Sequence, residues 1–246
     1  MSLKRILGGV FIAGLLQLAL MGSSAADTPK GPYAAVDGGL AWTANLVYTQ
    51  TYGNCAVPPF YYPCGGTAYN AVTYDLGYSA GVQIGYAFGG PRVEFEYNYR
   101  NNGASTIYTV NGTQAANGNL TSNNFMVNVL YDFDTGSKWT PYIGLGLGVA
   151  DVSANNIHPS NAVAVGSFLD GSSSKFAAQF IFGAEYAVSD KIGVTIDWRG
   201  LWAANANFNY GLACSGGGGT TNCQQTGTTN YDYWNGAINV GLRVKF

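Results

Sequence analysis

The C-terminal thirteen residues alternate with a strict period of two. Trp234, Gly236, Ile238, Val240, Leu242, Val244 and Phe246 fall on one side, and Asn235, Ala237, Asn239, Gly241, Arg243 and Lys245 on the other. Successive side chains of a strand point to opposite faces, so this segment is a strand with one apolar face, an aromatic at each end of it, and one polar face. In a soluble sandwich the polar face turns outward. In a membrane barrel the apolar face meets lipid and the polar face lines the lumen. One strand alone fits both.

The rest of the chain decides. Val93, Phe95, Tyr97 and Tyr99 alternate with Arg92, Glu94, Glu96, Asn98 and Arg100. Phe125, Val127, Val129, Tyr131 and Phe133 alternate with Asn124, Met126, Asn128, Leu130 and Asp132. Segments 76–88, 143–150, 176–186 and 192–199 repeat the pattern, and a weaker first strand spans about Ala34–Trp42. Aromatics gather at the ends of the apolar faces, as interfacial girdles require. The connections alternate short (Gly89-Gly90-Pro91, Asp134–Lys138, Ser189-Asp190-Lys191) and long (about 50–73, 101–119, 153–174 and 203–231). A soluble sandwich has no reason to sort its loops this way, whereas outer-membrane barrels do. The expected fold is therefore all-β: an eight-stranded antiparallel up-and-down transmembrane β-barrel over 27–246. Its even strand count lets the ends close and leaves no edge exposed to lipid. At this size the interior is filled by side chains or holds only something very small.

Composition narrows the function. Charged residues are 10% of the 246, against roughly 25% in ordinary soluble domains. So few Lys and Arg give no footprint for phosphates, so no nucleic-acid partner is expected. A single His without Cys or His clusters argues against a His/Cys metal site, and no cofactor is expected. Met1–Ala26 reads as a cleaved secretory signal. Lys4 and Arg5 precede the apolar run Ile6–Leu20, and Ser24-Ala25-Ala26 supplies the small-residue cleavage pattern. In the oxidising compartment beyond, Cys55, Cys64, Cys214 and Cys223 read as disulfides. Equal spacing within each pair favours local closure, Cys55–Cys64 and Cys214–Cys223. A cross-link between the first and fourth loops is the competitor.

The chain resembles the single-domain eight-stranded outer-membrane barrels, a group spanning opacity-type proteins, the OmpA transmembrane domain and alphaproteobacterial surface antigens. The resemblance rests on Gly81-Val82-Gln83-Ile84-Gly85-Tyr86, Arg92-Val93-Glu94-Phe95-Glu96 and Tyr131-Asp132-Phe133-Asp134. It continues through Pro141–Gly148, Gly183-Ala184-Glu185-Tyr186 and Gly241–Phe246. It implies a Gram-negative outer-membrane location and makes the terminal Phe246 similar to the signal read by the outer-membrane assembly machinery. It also implies membrane lipid and lipopolysaccharide as surroundings. His158-Pro159-Ser160-Asn161-Ala162 looks like the His-x-Ser-Asn-Ala signature of lipid A deacylases, but it falls in a loop stretch.

The lumen-side charges are Asp37, Arg92, Glu94, Glu96, Arg100, Asp132, Glu185, Asp197, Arg199, Arg243 and Lys245. Buried charges need partners, so a salt-bridge network that plugs the barrel is the expectation. No nucleophile, base and orienter assemble from these residues, so a non-enzyme is expected. The leading functional expectation is surface display. The barrel anchors loops rich in Asn, Thr, Ser, Gly and Tyr that contact a host or environmental surface, as adhesin or antigen. A narrow porin-like channel and a lipid A deacylase using His158 and Ser160 are the alternatives.

Overall fold

A computed structural model describes residues 30–51, 67–109, 112–160, 166–213 and 225–246. Ten strands follow in chain order: β1 (Lys30–Thr43), β2 (Leu46–Thr51), β3 (Thr67–Tyr74), β4 (Gly77–Phe88) and β5 (Pro91–Thr109), then β6 (Gly112–Asp132), β7 (Trp139–Pro159), β8 (Gly166–Ala187), β9 (Ile192–Ala213) and β10 (Gln225–Lys245). All pairings are antiparallel, and β1 joins β10 on one side and β4 on the other while β5 joins β6. β2 prolongs β1, and β3 leads into β4 after a two-residue break. The wall thus consists of eight staves closed on themselves, an up-and-down barrel.

Chain chemistry explains the short turns. Gly89 and Gly90 take φ of 89° and 121°, backbone that glycine alone adopts freely. In the next turn the Gly136 N–H donates to Asp134 Oδ1 at 2.7 Å, and in the third the Ile192 N–H donates to Ser189 Oγ at 3.1 Å. Both termini of the described chain sit at this same end, with Tyr33 opposite Lys245 and Lys30 opposite Phe88.

At the opposite end the wall rises further than the alternation in the sequence suggests. Much of what reads as outer loop is strand: β5 runs to Thr109, β7 to Pro159 and β9 to Ala213. These segments escaped the pattern because their polarity is inverted. On β7, Leu145, Leu147 and Val149 face outward below, whereas Val152 and Ala154 are buried inside above, with Asp151 and Ser153 outside. The same inversion separates Trp198 from Phe208 on β9 and Phe125 from Leu120 on β6. The change of sign marks the upper edge of the apolar band. Aromatic pairs frame that band at both levels. Tyr86–Phe88 (4.8 Å between ring centres), Tyr131–Phe133 (5.1 Å) and Trp139–Tyr186 (5.0 Å) lie near the short turns. Tyr97–Phe125 (5.1 Å) and Trp202–Trp234 (6.4 Å) lie above.

Among the described residues two non-glycine positions have positive φ, Asn156 (45°) and Asn205 (54°), both in the upper wall at irregularities that reset the strand phase. Each is held from a neighbouring strand: the Asn156 N–H donates to Asp170 Oδ1 at 3.2 Å and the Asn205 N–H to Asp232 Oδ1 at 3.0 Å.

Candidate functional site: the barrel lumen

The inward phase delivers polar side chains most densely on β5 (Arg92, Glu94, Glu96, Asn98 and Arg100), while β7 contributes small residues such as Gly144, Gly146 and Gly148, and the polar groups stack in tiers. At the short-turn mouth Arg92 and Arg243 alternate with two tyrosine rings. The Arg92 guanidinium carbon stands 5.5 Å from the Tyr33 ring centre and 4.8 Å from that of Tyr142; Arg243 stands 5.0 and 5.6 Å from the same rings. Such cation–π contacts contribute about 0.5–1 kcal/mol when exposed and about 2 kcal/mol or more when desolvated. Asp132 Oδ1 lies 3.1 Å from Arg92 Nε, while Glu185 pairs with Arg243 and, at 2.6 Å, with Lys245 Nζ.

The middle tier centres on Arg199. Its guanidinium meets Glu96 at 2.7 Å, Asp197 at 3.0 Å, Asp37 at 3.5 Å and Glu94 at 3.9 Å. Amides and hydroxyls serve further lone pairs, while Asp37 Oδ1 and Glu96 Oε1 have no hydrogen-bond partner among the described residues. Asn128 and Gln179 donate to Glu96 Oε2 at 2.7 and 2.6 Å, and Gln83 donates to Asp37 at 2.5 Å. Tyr33 donates to Glu94 at 2.8 Å and Tyr142 to Asp197 at 2.9 Å. Gly146 makes room here: a Cβ on it would collide with Asn128 Oδ1 and stand 2.8 Å from Gln179 Cγ.

In the upper polar tier, Ser79 donates to Asn239 Oδ1. Arg100 donates through Nε to Asn98 at 2.8 Å and through Nη1 to the Asn235 carbonyl and side chain at 3.0 and 2.9 Å. Above this the interior turns apolar. Leu46, Val72, Ile107, Leu120, Met126, Val152, Ile157, Leu169, Leu201 and Phe208 form one buried cluster with Tyr231 and Tyr233. It crosses the lumen at the level where the outer wall becomes polar.

The structure places all eleven sequence-selected charges on the inward side and joins ten of them by the ion pairs above; Arg100 is held by amides instead. Lys245, at the mouth, is the most exposed, its side chain 23% open. Sequence reasoning that followed charges missed Tyr33, Tyr142, Gln83, Asn128 and Gln179. They share the inward phase of their strands, and that phase was the available signal. Val72, Ile107, Ile157, Leu169 and Phe208 of the apolar cluster fall in segments that read as loop, whereas Met126 falls on the inward phase of a strand the alternation marks, and Leu46, Leu120, Val152 and Leu201 fall at the margins between the two.

His158 ends β7 beside Asn117, and its Nδ1 contacts the Asn156 carbonyl at 2.7 Å. The Ser160 N–H donates to the Ala115 carbonyl at 2.8 Å, and Asp170 serves the Asn156 irregularity. Among the described residues no hydrogen bond joins His158 to Ser160 or to Asp170, the nearest acid downstream of the motif. No group of three or more His, Cys, Asp and Glu suited to a metal ion occurs among the described residues. Cys55, Cys64, Cys214 and Cys223, like the signal-like segment 1–26, lie outside the described residues. Phe246 is exposed, with its N–H donating to the Pro32 carbonyl at 3.0 Å.

A closed antiparallel barrel, apolar outside between two aromatic girdles and polar within, defines an integral outer-membrane protein that crosses the bilayer with every stave. Residues 11–246 match the family described as outer membrane protein beta-barrel domain, and the chain belongs to that family. It is 28% identical over 143 residues to outer membrane protein PagN of Salmonella typhimurium, covering 54% of this chain and 60% of PagN. It is 30% identical over 197 residues to an outer membrane protein of Gluconacetobacter diazotrophicus, covering 75% of this chain and 49% of that one. The chain thus spans only about half to three-fifths of these relatives' length. Among solved structures it resembles OprG from Pseudomonas aeruginosa (TM-score 0.53, 15% identity, covering 88% of this chain and 98% of that one). It also resembles Neisserial surface protein A (TM-score 0.50, 18% identity, covering 90% and 100%). At these identities the likeness extends to the fold.

Proposed function

We propose that this protein is a surface-display barrel, an anchor whose extended outer wall and its connections present a contact surface for a host or environmental ligand, as adhesin or antigen. The observation that carries the reading is the closure of the lumen at two heights. Ion-paired tiers fill the membrane zone, and an apolar cluster crosses the part above it. A solute path needs a continuous wet bore, and neither tier offers one. Meanwhile much of the described outer wall above the upper girdle is polar, with Asn119, Asn123, Asp151, Ser153 and Asp232 turned away from the core beside exposed Val47, Tyr69 and Tyr108. That is the kind of hydrogen-bonding surface a glycan or protein ligand takes. The reading assigns no catalysis to the chain.

The test uses the full chain. In planar bilayers the purified protein should give no discrete conductance steps. Cells displaying it should bind glycan- or host-cell-coated surfaces, and should lose that binding when residues 104–116 are replaced by a tight turn. Discrete steps, or adhesion equal to that of cells lacking the protein, would overturn the proposal. A narrow cation path is the second reading, favoured by one observation: four carboxylates converge on the single guanidinium of Arg199. Conductance steps abolished by Glu96→Gln would select it.

A further inference from the structure

We propose that the lipid-facing wall from β6 to β10 holds one glycerophospholipid of the leaflet at the short-turn end, with an acyl chain in a groove across the staves and the phosphate on Lys138. The groove has a volume of about 1090 Å³, at the upper end of the roughly 300–1,000 Å³ usual for small-molecule sites. Its floor follows from side-chain size. The outward phase sets Val240, Ile196, Ala184, Pro141 and Phe133 in one row across five staves. Ala184 and Pro141 are small and stand side by side, so the wall is recessed between Ile196 and Phe133. The row above carries Trp198, Phe182 and Ile143, with the Trp198 and Phe182 rings 5.1 Å apart. The row below carries Tyr186 and Trp139, their rings 5.0 Å apart. Paired rings therefore bound the recess above and below.

From the recess the groove climbs past Phe180 and Ile238 to Trp42. The Trp42 ring lies over Gly236, where a Cβ would stand 2.6 Å from Trp42 Cε2. A path from the lower girdle up the tilted wall is the path of an acyl chain rising from its headgroup. The groove lies in the apolar band, whose surroundings are hydrocarbon, so its occupant comes from the membrane. A second barrel would offer a convex wall that meets a recess only at the rim, whereas a slim flexible chain fills it. Charge selects the headgroup. Trp139 and Tyr186 mark the interface, where amphipathic rings sit at headgroup level. Lys138 Nζ stands 6.0 Å from the Tyr186 ring centre, just below the recess. Lys138 is exposed and makes no ion pair among the described residues. Asp134, the acid of the same turn, accepts the Gly136 N–H through Oδ1. An ammonium so placed attracts a phosphate as a point charge.

The test is native mass spectrometry of the full refolded chain in detergent. The chain is titrated with dipalmitoyl phosphatidylglycerol or with dipalmitoylglycerol, which has the same chains and no phosphate. One phosphatidylglycerol should be retained at saturation, and dipalmitoylglycerol should be held about tenfold less tightly. Lys138→Gln should weaken phosphatidylglycerol by about the same factor and leave dipalmitoylglycerol unchanged. Ala184→Trp fills the recess from the lipid face and should remove retention of both. If that variant does not fold, the Lys138→Gln comparison decides alone. Equal retention of the two lipids by the unaltered chain, or undiminished retention by Ala184→Trp, would overturn the proposal. So would a dimer that Ala184→Trp dissociates, which would make this face a contact between copies.

Discussion

Replacing Arg199 by Met tests the ordering of the lumen most directly. Met keeps the apolar stem of the side chain as far as the position of Nε and deletes the one cation shared by Glu96, Asp197, Asp37 and Glu94, at 2.7, 3.0, 3.5 and 3.9 Å. Unit charges near 4 Å apart interact by about 4 kcal/mol at an effective dielectric of 20. Removing one partner of a buried pair typically costs about 3–5 kcal/mol, because the other charge stays behind uncompensated. Four carboxylates stay behind here, so the loss should lie at the upper end of that range. The acids should also become mutually repulsive, which makes a second prediction about sign. Asp37→Asn keeps an oxygen to accept from Gln83 while deleting a negative charge. Combined with Arg199→Met, it should recover about 1–2 kcal/mol, a coupling ordinary for residues in one network. The assay is urea unfolding of the full chain in lipid vesicles, followed by tryptophan emission and by the mobility shift of unheated samples on gels. A loss below about 1 kcal/mol for Arg199→Met would mean that the tier is wet and screened. Additive losses for the double variant would mean that the carboxylates do not sense one another. Either result would refute the plugged-lumen argument.

The remaining expectations concern the two faces, the terminus and the cysteines. Val240 is 56% exposed on the lipid face, so Val240→Arg should cost about 2–4 kcal/mol near the midplane, measured by refolding into lipid. Asn239→Ser, one position away, should cost about 1–3 kcal/mol: buried Asn239 accepts from Ser79 and donates to Asp197 at 3.2 Å, and Ser is too short to do both. Deleting Phe246 should lower outer-membrane levels in cells far more than it lowers stability after refolding, and normal levels would sink the assembly-signal idea. Peptide mapping without reduction should return Cys55 joined to Cys64 and Cys214 to Cys223, each bridge contributing on the order of 2–3 kcal/mol. A fragment joining the Cys55 and Cys214 regions would contradict this.

What the sequence disclosed depended on which solvent each face of a strand meets. Where lipid lies outside, the alternation is strong, because Val240 or Leu145 cannot exchange places with Asn239 or Gly146 without exposing a polar group to hydrocarbon. Strand phase, lumen charges and short turns are therefore readable from the residues. The pairing of those charges is not, because it depends on barrel shear. Arg199 reaches Asp37 on β1 and Glu96 on β5, far apart in the chain, only once closure has set the stagger. The neutral members of the network carry no charge to flag them, so Gln83 and Gln179 read as ordinary polar positions although both donate to buried carboxylates.

The polarity inversion explains why the upper wall reads as loop. Below the girdle formed by Trp202, Trp234 and Phe125 the barrel is inside-out, apolar toward lipid. Above it the same staves obey the rule for water-soluble sheets, with an apolar interior and a polar surface. A pattern search tuned to one rule loses the strand at the crossing. The irregularities at Asn156 and Asn205 shift the phase again and erase what alternation remains. Each half also supplies what the other lacks. The membrane zone cannot gain much from burying apolar side chains between its staves and lipid, since hydrocarbon surrounds it already, and its interior is polar. The upper zone buries Leu120, Ile157, Leu169 and Phe208 away from water at roughly 1.5–3 kcal/mol for each fully buried side chain. The hydrophobic effect that lipid denies to the lower half therefore acts at full strength one tier higher on the same strands. It supports the outer wall as paired strand above the apolar band.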